Sequence, residues 1–96
     1  MKENARNGRK LDAAIARIEE MERCLNALLA AGPEAVVRDA ALAARLEALK
    51  AYYEGGQWLS DYALDEAGLL PPGMSRGVLS EDAVYNFLMD VDNAAR

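Results

Sequence analysis

Apolar residues in the first third of the chain recur at helical spacing. Leu11, Ile15, Ile18, Met21, Leu25 and Leu28 stand three or four apart, and Arg17, Glu19, Glu20 and Arg23 fill the opposite side. That pattern predicts one amphipathic helix, since a strand would alternate with period two. Gly32-Pro33 then interrupts it. Glycine suits the left-handed position after a helix, and proline suits the first turn of the next. A second helix is expected over 34–54, with Leu42, Leu46, Leu49 and Tyr53 as its apolar stripe. Ala40, Ala41, Ala44, Ala48 and Ala51 form a smooth shoulder beside it, on which a neighbouring helix can approach closely. Two long helices joined by a short turn predict an antiparallel hairpin.

The second half of the chain is more broken. Gly55-Gly56 ends the second helix, and "QWLSDYALDEAG" reads as a short helix with Trp58, Leu59, Tyr62 and Leu64 inward and Asp61, Asp65 and Glu66 outward. "GLLPPGMSRG" is a loop stiffened by tandem prolines, with Leu69 and Leu70 to pin it to the core. Ser80 is placed to cap a last helix, with Glu81 and Asp82 in the first turn, where the helix dipole favours negative charge. Val84, Phe87, Leu88 and Val91 supply the buried face of that helix, and Tyr85 falls on the outward side. The fold class is therefore all-α: a long antiparallel helical hairpin, a short helix, an ordered proline loop and a C-terminal helix. Residues 1–96 form one helical domain, with 1–10 as a flexible basic tail.

Charge and composition narrow the function. The net charge is −5, from 11 basic and 16 acidic residues. Nucleic acid and anionic membrane need clustered Lys and Arg, so both are disfavoured as partners. The basic cluster Lys2, Arg6, Arg9 and Lys10 lies beside Glu3 and Asp12 and reads as solvated. Cys24 is the single cysteine, which fits a reducing, cytoplasmic setting. With no histidine, Ser–His and Cys–His nucleophilic pairs are excluded. No glycine-rich phosphate loop and no zinc ligand set is present, and no cofactor is expected.

The motifs of the C-terminal half carry a resemblance. "IEEME" at 18–22, the paired Tyr52 and Tyr53, Trp58 with Asp61, the run Asp65, Glu66 and Gly68, a proline loop and "RGVLSEDAVYNFL" together resemble a family of small bacterial proteins, domain of unknown function 4298. The resemblance covers residues 15–92 and is most specific over 52–88. The chain departs from that family in its alanine-rich first two helices and its second loop proline. The resemblance implies helical architecture and no assigned activity.

Two function classes follow. The first is a non-enzymatic protein-interaction or structural module, with self-association through an uncovered alanine shoulder as one form it can take. The second is a metal-dependent nucleotide hydrolase using clustered carboxylates, since Asp61, Asp65, Glu66, Glu81 and Asp82 are oxygen ligands of the kind Mg²⁺ takes. Glu19 and Glu22 add an i, i+3 pair, but the second helix offers only Asp39 and Glu47 away from its ends. The bland reading of the acids is a solvated face. Arg76, among acids, reads as a tie from the loop to Asp61, Asp65 or Asp82 rather than as an anion site. The aromatics read as a mini-core at the open end of the hairpin, and any of them left exposed would form a partner patch. The candidate interaction or motif residues are thus Trp58, Asp61, Asp65, Glu66, Arg76, Glu81, Asp82 and Tyr85.

Overall fold

The computed structural model describes residues 2–80 and 82–96, with side chains from Gly8 onward. The described residues form α1 (Lys2–Ala31), α2 (Pro33–Arg38), α3 (Ala40–Glu54), α4 (Gln57–Glu66), a 3-10 turn (Gly77–Leu79) and α5 (Ala83–Ala95). The all-α reading is correct. α1 and α3 run antiparallel: the Cys24 thiol donates to the Arg45 carbonyl at 3.3 Å, while Arg17, further back on α1, meets Tyr52, further on along α3, through Asp61.

The expected second helix is two helices. Asp39 breaks it, with φ −105° and ψ 120°. Its N–H closes α2 on the Ala35 carbonyl at 3.0 Å. Its carboxylate then caps α3, accepting from Ala41 N–H at 2.8 Å and Leu42 N–H at 3.1 Å. The break turns α2 so that Val36 is buried and α2 packs against both α3 and α5. The glycine punctuation is as expected. Gly32 has φ +89° before Pro33, and Gly56 has φ +96° between α3 and α4. A side chain rarely adopts either conformation.

One core runs through all the elements. Ile18, Leu25 and Leu28 of α1 meet Val36, Leu49, Tyr52, Leu70, Val78, Leu79, Val84, Phe87 and Val91. Two expectations about apolar side chains fail. Leu59 is 64% exposed rather than inward, and of the two loop leucines only Leu70 is buried. The last helix also starts later than expected. Ser80 is extended and closes the 3-10 turn by donating its N–H to the Gly77 carbonyl at 3.0 Å. Asp82 holds the N-cap position of α5, and no capping side-chain bond is present there among the described residues.

Candidate functional site

The motif residues of the C-terminal half build one connected structure around the proline loop. It begins with Asp61 on α4, which is 0% exposed and so faces inward, not outward as expected. Arg17 grips it with two donors, Nε to Oδ2 at 2.9 Å and Nη2 to Oδ1, and the Tyr52 hydroxyl donates to Oδ2 at 2.8 Å. A buried carboxylate persists only when paired and hydrogen-bonded, and here α1 and α3 both supply partners. The bond to Asp61 holds the Arg17 guanidinium above its ordinary range, against a smaller lowering by burial.

Burial, and then the bond to Asp61, push the Tyr52 phenol well above its ordinary value of 10.0. Burial likewise raises the Cys24 thiol. Both groups are held neutral in the fold while the unfolded chain ionises first. Their contribution to stability is whole below the unfolded values and is lost as pH rises past them. Unfolding midpoints should therefore fall above about pH 10, and Tyr52→Phe should flatten that decline while costing about 1 kcal/mol at neutral pH. A Tyr52→Phe profile identical in slope to wild type would refute the assignment.

The loop is held at three further points. Arg76 donates through Nη1 to Asp65, through Nη2 to the Pro71 carbonyl at 2.9 Å and through Nε to the Met74 carbonyl at 3.4 Å. Of the three acids expected as its partner, Asp65 is the one it meets. The Trp58 indole N–H donates to the Val78 carbonyl at 2.8 Å. Its ring packs edge-on to Tyr53 at 5.3 Å and stacks on Tyr62 at 5.2 Å. Glu22 of α1 then accepts from Val78 N–H at 2.7 Å and Gly77 N–H at 3.3 Å. A Cβ at residue 77 would come within 3.2 Å of the Glu22 carboxylate, so glycine there lets the turn seat against it. From the sequence, Glu22 stood only as half of a carboxylate pair and as the last residue of the IEEME motif.

The carboxylates are dispersed over these tasks. Asp61, Asp65 and Glu22 serve different partners, and Glu66 and Asp82 are exposed at opposite ends of the loop segment. Glu81 lies outside the described residues. Among the described residues no group of three or more His, Cys, Asp or Glu side chains converges on a point where a metal could sit. The hydrolase reading therefore finds no donor set here. Cys24 is buried and its thiol is bonded to a backbone carbonyl, so it offers no ready nucleophile.

The described surface has a more promising feature between α3 and α5. α5 packs on α2 and on the 3-10 turn, while α3 packs on α1, α2 and α4. The two helices share α2 as a neighbour and leave an open groove of about 390 Å³ between them. α3 lines it with Leu46, Lys50, Tyr53 and Glu54, at positions i, i+4, i+7 and i+8. α5 lines it with Tyr85, Leu88, Met89, Val91 and Asp92. Tyr85 and Met89, one turn apart on α5, are 52% and 43% exposed. Of the candidate interaction residues named from the sequence, Tyr85 is the one that lines this groove, together with the motif residues Tyr53 and Leu88, and its neighbour Met89 was not among them.

No helix among the described residues is long and apolar enough to cross a membrane. No curated protein and no solved structure matches the chain. A family described as a domain of unknown function, DUF4298, matches residues 15–96, a span that takes in Arg17, Glu22, Tyr52, Trp58, Asp61, Asp65 and Arg76. The residues that brace the loop thus all lie within the matched span, and the chain belongs to the DUF4298 family.

Proposed function

We propose that this chain is a non-enzymatic protein-binding module of the bacterial cytoplasm, and that the α3–α5 groove is its contact surface. The observation that carries the reading is the pair Tyr85 and Met89, large apolar side chains left half in water at the rim of an apolar trough. Exposed aromatic and Met side chains beside a pocket are the usual anchors of protein contacts. The braced loop supports the reading in a second way. It fixes α4, the 3-10 turn and the start of α5, so the α5 wall is presented rigidly, which lowers the ordering cost of binding. The alanine shoulder of α3 is exposed too, yet each alanine offers little area, so the groove is the stronger surface. The single buried thiol supports the cytoplasmic setting.

The test is affinity capture from lysate of the source cells, using wild type and Met89→Glu. Helix content should be unchanged in the variant, because Met89 is 43% exposed. Specific partners should be retained by wild type and lost from Met89→Glu. Partners held equally by both would remove the groove from the binding surface.

A further inference from the structure

The floor of the α3–α5 groove is apolar, and its rim is acidic. Glu54 of α3 and Asp92 of α5 line it, and Lys50 is the basic residue among its described lining. Glu47 stands exposed on α3 beside Leu46, while Asp90, though exposed, falls on the side of α5 away from the groove. α5 carries no basic residue in its last turn, and Arg96 follows as its C-cap. The walls also fix the reach of an occupant. From Leu46 to Glu54 is eight residues, about 12 Å of helix, so the trough engages a little over two helical turns.

Self-docking is disfavoured by the same charges. Two copies joined through this face would set Glu54 and Asp92 of each against those of the other, with a single Lys50 per copy to offset them, on chains already at −5. A cationic partner meets no such cost. Resting on the protein-binding reading above, we infer that the groove receives an amphipathic helix of a partner protein whose apolar stripe is flanked by Lys or Arg. Its apolar side chains at i, i+3 or i+4, and i+7 enter between Tyr53 and Met89, and its cations pair with Glu54 and Asp92.

The probe is a displayed library of helical peptides of about five turns with randomised faces, selected against the full chain. The expected winners carry an apolar stripe with Lys or Arg beside it, and their binding weakens several-fold between about 50 and 500 mM salt. The Glu54→Lys/Asp92→Lys pair, at surface positions, should weaken those peptides about tenfold with the unfolding midpoint unchanged. Met89→Glu should abolish binding. Failure to select any peptide, selection of neutral or acidic ones, or indifference to the charge reversal would overturn the inference. So would a concentration-dependent dimer lost in Met89→Glu, which would give the groove to a second copy. If captured cellular partners depend on Met89 but survive the charge reversal, the interaction reading stands and the basic-helix inference falls.

Discussion

Asp61→Ala should lower the free energy of unfolding by about 3 kcal/mol, the largest effect expected of any polar residue here. The substitution leaves a buried Tyr52 hydroxyl without its acceptor and the Arg17 guanidinium without its carboxylate. The Arg17 side chain is 28% exposed and keeps some water, which holds the cost at the low end of the range for a broken buried pair. Asp61→Asn should cost less, because its amide oxygen still accepts from Tyr52. Replacing both ends, as in Arg17→Met with Asp61→Leu, should recover most of the loss, since no charge is then stranded. Urea unfolding followed by Trp58 fluorescence reads all three. Since domains of this size hold about 5–15 kcal/mol, Asp61→Ala should be visibly marginal. A loss within about 0.5 kcal/mol would mean that the carboxylate contributes little net stability.

Trp58→Ala should cost about 3 kcal/mol. The loss has separable parts. The bond from the indole to the Val78 carbonyl goes, as do the ring contacts with Tyr53 and Tyr62. Trp58→Phe keeps much of the ring and drops the bond, so it should cost about 1 kcal/mol. Because Trp58 is the single tryptophan, unfolding of these variants is followed by helix circular dichroism. Amide exchange should rise most at Gly77 and Val78, whose turn Trp58 holds against α4. A neutral Trp58→Ala would move the residue from the framework to the free surface and add it to the binding patch.

The helices were legible in the sequence because their burial is periodic. Ile18, Leu25 and Leu28 fall inside as their spacing requires, and Gly32 and Gly56 mark real breaks. Asp39 was not read as a break, because neither glycine nor proline marks it and the alanines that follow suit a continuous helix. Asp61 was misread for a different reason. A lone Asp on an amphipathic helix faces water by default, and the arginine that reverses the default lies 44 residues away. Glu22 was unreadable in the same way, since its partners are backbone N–H groups 55 and 56 residues on, and backbone donors leave no mark in sequence. Arg76 was more readable, because its carboxylate lies only 11 residues away. The groove follows from α5 choosing α2 over α3 as its support, a packing decision that no local pattern encodes.

The long spacing of those bonds shapes how the protein is made. Arg17 and Glu22 leave the ribosome well before Asp61, Gly77 and Val78 exist. Their partners arrive only after a further 44 to 56 residues have been synthesised. The contact between α1 and α3 forms across a much shorter stretch of chain and closes with less entropy to overcome. The hairpin is therefore the early structure of the nascent chain, and the loop brace a late lock. A chain cut short before the 3-10 turn would lack the two backbone donors of the Glu22 carboxylate, and with them the tie from α1 to the end of the loop.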